Sequence, residues 1–558
     1  MPTINFSYKD FCNLVGRKIE IEELAKLLSY GKGELEGYDE ETDEITVSFG
    51  DTNLPYLWSV EGIARLVKGL IGKQKGIPKI EITKKSEYRL IVEPSVRKIR
   101  PYIAAFVAKR KKVDDYLIKQ MIDLQEKFCD NYGRKRKKVA IGVYNFKKMK
   151  FPVFYKATDP ESIKFTPLEF KKEMTQQEIL EEHPTGKEYA WILKGFDKYP
   201  ILIDSNNEVL SFPPIINSDW SGKIEIGDED LFFEATGEDL DSVLLAANVF
   251  AQAFYDRGFE IFSVDIEYPE RDKITTPFLF KETVKISKRE IGDLLGLGLK
   301  EEEIKRLLEK MQYNYSNWKV EIPDYRRDIM HPVDVIEDIA IAYGYDNIEM
   351  AHMERYTIGG TIPIVKFIDK VREIVIGLGY QEIMSAILSN KETLYKKMNI
   401  EDIENQDLGT VEIKEYISER YSVVRTWILP ILMDVLNKNK HIEYPQKIFE
   451  EGLVTIRKGN EIKDYHRIAL VSAHAEADYT EARQVLDSIL NAFKVKYKIE
   501  ETEHNSFIPG RVGRVIVNGR KVAYIGEIAP EGLKNFDLTV PVSGFELNLT
   551  ELFAVIEK

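Results

Sequence analysis

A single hydrophobic core stops growing at about 250–300 residues, beyond which chains divide into domains, and this chain has 558 residues. Length alone therefore implies several cores, on the order of three to five. No stretch approaches the roughly 20 consecutive apolar residues that a membrane span needs, so these cores belong to domains that face water. The opening, MPTINFSYKDF, has no basic block followed by an apolar one, and Cys12 and Cys129 lack metal-ligand spacing. Both features point to a reducing, cytoplasmic setting without membrane attachment.

A net charge of −14 argues against a protein that wraps nucleic acid over its whole surface, because phosphate binding relies on clustered Lys and Arg. The cationic runs are local: RKIR at 97–100, KRKK at 109–112, RKRKK at 134–138 and KKMK at 147–150. Each is read first as an ordinary solvated face, with a local nucleic-acid contact as the alternative.

Pattern along the chain suggests four regions. Residues 1–85 join a helical segment, EIEELAKLLSYG, to a strand-like DEITVSF and end in the connector GKQKGIPK, as a small α/β domain would. Residues 86–272 alternate strand signals (YRLIVE, KKVAIGVY) with two helical ones, DDYLIKQMIDLQEKFCDNYG and DLDSVLLAANVFAQAFYDRG, the second with Gly258 as its stop. Residues 273–350 hold short helices, with Ser287 and Glu290 spaced as a capping box. Residues 351–558 begin with the helix FIDKVREIVIGLG and become strand-rich, with a hairpin expected at Asn518 and Gly519. The chain reads as multidomain α/β and α+β, without internal repeats or low-complexity tracts. GxxxxGK[ST], HExxH, GxSxG and CxxC patterns are absent, which removes the commonest nucleotide, zinc and serine-hydrolase signatures.

The segment PDYRRDIMHPVDVIEDIAIAYGYDNI, 323–348, is the most specific. Pro332 suits the first helical position and Gly344 the stop, with Val335, Ile336, Ile339 and Tyr343 as the apolar stripe. Asp334, Glu337 and Asp338 then share one face, and Asp328 arrives from the preceding turn. Acids near a helix N-terminus are favoured by about 0.3–1 kcal/mol each, with Arg326 and Arg327 as counter-ions. That explains Asp334 well and the inner pair less well. An oxygen-only set without His or Cys would also suit Mg²⁺ over zinc, and residue pattern alone leaves both readings open.

This segment resembles the B5 module of the phenylalanyl-tRNA synthetase β subunit, a class II aminoacyl-tRNA synthetase chain, in its archaeal or eukaryotic form. The resemblance implies that Asp328, Asp334, Glu337 and Asp338 hold a Mg²⁺ ion shared with an α subunit. It extends along the chain. RKRKKVAIGVYNF (134–146), HPTGKEYAWIL (183–193), LSFPPIINSDWSGKI (210–224) and FFEATGEDLDSV (232–243) are similar to the family's B3/B4 editing domain. That similarity implies hydrolysis of tyrosine wrongly esterified to phenylalanine tRNA, with Leu202, Ser211, Glu234 and Thr236 as editing residues. Family members often carry Asp at the positions of Glu234 and Asn145. Structural uses compete: a turn for Ser211 before Phe212, Pro213 and Pro214, a cap on the next helix for Thr236, and a core position for Leu202.

GLGYQEIMSAILSN (377–390), VVRTWILPILMDVL (423–436), YPQKIFEEG (444–452) and FIPGRVGRVIVNGRKVAYIGEIAPE (507–531) resemble the family's class II catalytic-like domain, an antiparallel sheet without catalytic motifs. The late segment GEIAPE lacks the arginine that clamps ATP in an active site, so Arg425, Arg511 and Arg514 are expected to be structural or interface residues, and no residue here is expected to catalyse aminoacylation. The resemblance thus implies an α₂β₂ ligase that uses ATP to charge phenylalanine tRNA, with activation in the α subunit and editing in this chain. Two alternatives from other classes are a free-standing hydrolase of mischarged tRNA and an inert scaffold or nucleic-acid-binding protein.

Overall fold

The computed structural model describes residues 2–352, 356–400 and 408–557. The chain divides into two units, Met1–Ala351 and His352–Lys558, and each builds its own mixed α/β architecture.

Within the first unit the dominant element is a large mixed sheet. Its main strands run in the order Val209–Phe212, Tyr199–Ile203, Val153–Thr158, Ile82–Val92, Glu260–Glu267, Tyr102–Lys109, Leu231–Gly237 and Val139–Asn145. Leu231–Gly237 lies between two antiparallel partners, so its residues are registered on both sides. Strand alternation sends Phe233 and Ala235 toward the helix Leu240–Asp256, where Phe233 stacks on Phe106 at 4.6 Å and meets Phe250 at 4.9 Å. Phe232, Glu234 and Thr236 face the opposite side. There, Phe232 joins Tyr144, Tyr155, Leu90 and Leu202 in a second core.

Residues before this sheet form a small domain with the three-stranded order Thr3–Ser7, Glu44–Phe49, Gly33–Asp39. Its central helix, Val60–Leu70, is buried almost all round and is absent from the sequence reading because two glycines interrupt its pattern. Both are required by contact: a Cβ on Gly62 would lie 1.8 Å from the Tyr56 carbonyl oxygen, and one on Gly69 would lie 2.3 Å from that of Lys310.

The segment after the large sheet contains the helices Lys288–Leu295, Glu301–Lys310 and Pro332–Tyr343 beside a three-stranded sheet that the sequence reading did not anticipate. Ser287 caps the first helix by accepting from the Glu290 N–H at 3.2 Å. The other half of the expected box is replaced, because the Glu290 carboxylate takes the Ser287 hydroxyl at 2.6 Å instead of the cap backbone.

The second unit is a seven-stranded sheet, antiparallel except at one short edge strand. Helices Pro363–Gly377, Tyr479–Ala492 and Leu549–Ile556 contribute to one core, and Leu429–Lys438 contributes to another. Strands Phe507–Val517 and Arg520–Ile528 meet at Asn518 and Gly519, whose φ values of 47° and 78° are those of the expected two-residue turn. Among the described residues, no helix is long and apolar enough to cross a membrane.

Candidate functional site

A cavity of about 530 Å³ opens beside the large sheet, and its lining includes Ser211, Glu234 and Thr236. Glu234 and Thr236 come from the strand Leu231–Gly237, and Ser211 comes from Val209–Phe212 at the other end of the sheet. Leu202 is the registered partner of Ser211 across the sheet, yet it is fully buried in the core and does not line the cavity. Asn145 also lies off the cavity: its Oδ1 accepts from the Lys147 N–H at 2.9 Å and caps a turn.

Glu234 is only 3% exposed. Across the strand pair it faces Gly142, where any Cβ would sit 2.8 Å from Glu234 Oε1 and 2.2 Å from the Tyr144 hydroxyl. The missing side chain lets that hydroxyl reach Oε1 at 2.8 Å, with Asn217 Oδ1 also within 3.2 Å. Among the described residues, Oε2 is left buried with no partner. Burial raises the Glu234 carboxyl to about 8, against the opposing pull of the Tyr144 hydrogen bond and the Arg100 charge. Near neutrality it therefore holds a proton, and Tyr144 donating to Oε1 leaves Oε2 to carry it. With its proton on Oε2, the carboxyl offers the cavity a hydrogen-bond donor.

Ser211, 1% exposed, likewise has a buried hydroxyl without a partner. A buried polar atom left unpaired costs about 1–3 kcal/mol, and three residues that line this cavity carry one, Ser211 at Oγ, Glu234 at Oε2 and His183 at Nε2, as in a site built for a polar group that comes from outside. Thr236 is occupied: Arg100 Nε donates to its Oγ1 at 2.9 Å and an Arg100 amino group to its carbonyl at 2.5 Å. Arg100 also donates to the carbonyls of Arg136 and Lys137. These bonds brace Arg134, Lys135 and Arg136, three successive residues with φ of 51°, 52° and 66°. Such a left-handed turn costs about 1–2 kcal/mol per residue and needs that bracing. Arg136 lines the cavity, stacks on Tyr189 at 4.2 Å and donates to the Ile215 carbonyl at 2.8 Å.

Sequence reasoning missed Tyr144, Gly142 and Asn217, and read Arg100 as one cation of a surface run. Only strand register, which aligns 142 and 144 with 234 and 232, could have signalled the first two.

The second candidate, the acidic segment, forms a helix as read, with Pro332 in its first turn and Gly344 at its end. All four acids line one cavity of about 80 Å³. Each also has a partner within the chain. Asp334 accepts from the N–H groups of Met330 and His331 at 2.8 Å, as a helix cap. Glu337 lies 3.3 Å from Lys32 Nζ. Arg326, 5% exposed, donates to Asp338 at 2.7 Å and grips Asp328 with two nitrogens, while the Tyr313 hydroxyl donates to Asp338. Although burial works the other way, the Asp338 carboxylate holds this guanidinium well above its ordinary range. Arg326 is the expected counter-ion, and it is buried as a bridge between Asp328 and Asp338. Among the described residues, no three His, Cys, Asp or Glu side chains stand together as a ready metal site.

The arginines of the second unit divide. Arg425 is buried and paired with Glu450 at 2.6 Å, and Arg511 pairs with Glu527 at 2.6 Å. Arg514 has no carboxylate partner among the described residues and lies over the Tyr524 ring.

Comparison with known proteins gives the same outline throughout. The phenylalanyl tRNA synthetase beta chain CLM domain matches residues 348–549, and the tRNA synthetase B5 domain matches residues 284–345. The chain is 42% identical over 562 aligned residues to the phenylalanine–tRNA ligase beta subunit of Pyrococcus horikoshii, covering 99% of this chain and 100% of that one. It is 39% identical to that of Archaeoglobus fulgidus, covering 92% of each. Among solved structures, an N-terminal fragment of the Pyrococcus horikoshii phenylalanyl-tRNA synthetase beta subunit is similar at 41% identity and a TM-score of 0.59, covering 62% of this chain and 100% of the fragment.

Proposed function

This chain belongs to the phenylalanine–tRNA ligase β-subunit family, and from that membership we propose that its Glu234 cavity is an editing site that hydrolyses tyrosyl-tRNA-Phe. The observation that carries the reading is the pair of unpartnered buried atoms, Ser211 Oγ and Glu234 Oε2. A tyrosyl phenol can accept from the protonated Glu234 and exchange a hydrogen bond with Ser211. A phenylalanyl ring leaves both unsatisfied. A site built to hydrogen-bond a hydroxyl rejects the analogue lacking it by about 10⁴–10⁵-fold, whereas an apolar pocket rejects an added hydroxyl by only about a hundredfold. Editing therefore supplies the discrimination that an apolar charging pocket lacks. Thr236 acts by locking Arg100, and Leu202 by packing beside Ser211 on the paired strand.

The remaining parts of the proposal concern the holoenzyme. The chain works in an α₂β₂ assembly in the cytoplasm, with ATP-dependent activation of phenylalanine carried by the α subunit. Its own late segment GEIAPE lacks the ATP-clamping arginine. The donor chemistry of Asp328, Asp334, Glu337 and Asp338 fits Mg²⁺, since all are hard oxygen ligands that line one cavity. These four would hold the ion together with the α subunit, and the ion would neutralise the acidic face at the subunit boundary. Lys32 and Arg326 partly do so within the chain. Equilibrium dialysis of the holoenzyme should give a bound Mg²⁺ per chain that is lost in Glu337→Ala; equal Mg²⁺ in both proteins removes these acids from the site.

Deacylation assays on tyrosyl- and phenylalanyl-tRNA-Phe test the editing assignment. Wild-type holoenzyme should hydrolyse the tyrosyl ester and spare the phenylalanyl ester, and Ser211→Ala or Glu234→Ala should erode that preference by at least about tenfold, the loss of roughly one hydrogen bond to a charged or strongly polar partner. Unchanged preference in both variants rules out the assignment. Full deacylase activity of the chain without its partner would favour a free-standing hydrolase.

A further inference from the structure

The sheet of the second unit carries a cavity of about 260 Å³ that the ligase reading leaves without a role. Its wall is aromatic: the His504 ring lies 4.8 Å from Tyr524, 5.3 Å from Phe507 and 5.9 Å from Trp427. Its charge is cationic. Among the described residues Arg467, Arg514 and Lys521 line it, against one carboxylate, Glu546. That carboxylate is fully engaged, with Oε1 on Arg467 at 2.9 Å and Oε2 accepting from the N–H groups of Ile428 and Leu429 at 2.7 and 2.9 Å.

Arg514 has far less. Its guanidinium lies 3.8 Å from the centre of the Tyr524 ring, and among the described residues its only polar contact is the Lys521 carbonyl at 3.4 Å. Nε of Arg514 and Nε of Arg467 are both buried and unpartnered. Burial pushes the Arg514 guanidinium down, Tyr524 opposing and Arg467 adding to the shift. Burial and the charge of Arg514 push His504 down to about 4, so the imidazole is a neutral ring near pH 7. A partly buried guanidinium without an anion is costly, and its planar fork suits phosphate. Flat aromatic walls stack nucleobases.

We propose that this cavity binds a single nucleotide, its base against the His504, Tyr524 and Trp427 rings and its phosphate against Arg514 and Arg467. An aromatic amino acid fits less well: its ammonium group needs a carboxylate, and Glu546 has no free oxygen to offer. The volume lies just under the roughly 300–1,000 Å³ of drug-sized sites, which suits one nucleotide and not a longer strand. A free nucleoside monophosphate and the terminal nucleotide of a single-stranded RNA present the same chemistry.

The test is equilibrium dialysis of the full chain, in its holoenzyme, against labelled AMP. The expected result is that Arg514→Gln lowers bound AMP by one equivalent per chain, with unfolding temperature unchanged and with L-phenylalanine failing to displace that equivalent. Arg514→Lys, which keeps the charge without the fork, should weaken it by about tenfold and serves if the Gln variant does not fold. A CCA trinucleotide that binds the Arg514-dependent site more tightly than AMP identifies an RNA end as the ligand, and one that binds no better identifies a free nucleotide. Equal AMP binding with and without Arg514, no saturable binding, or displacement by L-phenylalanine each overturns the proposal.

Discussion

At the scale of single residues, the buried acid dominates. The Glu234 carboxyl is raised to about 8 from an ordinary 4.5, so the folded chain binds a proton that the unfolded chain releases between those values. Stability from this group is fully present below about pH 4.5 and is lost as pH rises through about 8, with a slope of up to about 1.4 kcal/mol per pH unit. Denaturant titrations of wild type and Glu234→Gln across pH 5 to 9 should therefore diverge, the wild type losing stability where the variant does not. Parallel curves would mean that Glu234 is ionised in its cavity. Gly142 offers a second test. A Cβ there would strike the Tyr144 hydroxyl and Glu234 together, so Gly142→Ala should cost about 1–3 kcal/mol, as overpacking does, and lower the tyrosyl-over-phenylalanyl preference in deacylation. Ala at 142 without effect on either would show that Tyr144 does not set the carboxylate.

At the scale of elements, the helix Pro332–Tyr343 shows what a sequence can and cannot reveal. Proline in its first turn, glycine at its end and its apolar stripe are local features, and each was legible. The same holds for the turn at Asn518 and Gly519, whose residues tolerate positive φ. What surrounds the helix was not legible, because Arg326 reaches Asp328 and Asp338 only once the chain before the helix has folded back over it. Breaking such a buried pair on one side costs about 3–5 kcal/mol. Arg326→Met should therefore destabilise the chain by that amount in chemical denaturation, and adding Asp328→Asn and Asp338→Asn should restore most of it. No recovery in the triple variant would mean that the arginine stabilises through packing against Tyr56 and Tyr313. The helix Val60–Leu70 failed for a related reason. Gly62 and Gly69 weaken its pattern for the sake of contacts with Tyr56 and Lys310, the second of which lies far outside any sequence window.

Over the whole molecule, local signals recovered the order of α/β and strand-rich regions, but the cavity exists only through pairings across long stretches of chain. Thr236 meets Arg100 and Glu234 meets Tyr144, so its polar ends could be named from likeness to relatives while their supports could not. Arg100 shows the difference: in sequence it completes a basic run, and in the fold it is buried beneath the site. Division of labour between chains is the corresponding expectation for activity. This chain alone should give no phenylalanine-dependent ATP–pyrophosphate exchange, and addition of the α subunit should supply it; exchange by the isolated chain would place activation here. The most direct measurement is a crystal structure of the holoenzyme with a non-hydrolysable tyrosyl-adenosine amide. The tyrosyl hydroxyl is expected within about 3.2 Å of both Ser211 Oγ and the Glu234 carboxyl, and an analogue seated elsewhere, or with its phenol turned away from both atoms, would contradict the editing assignment.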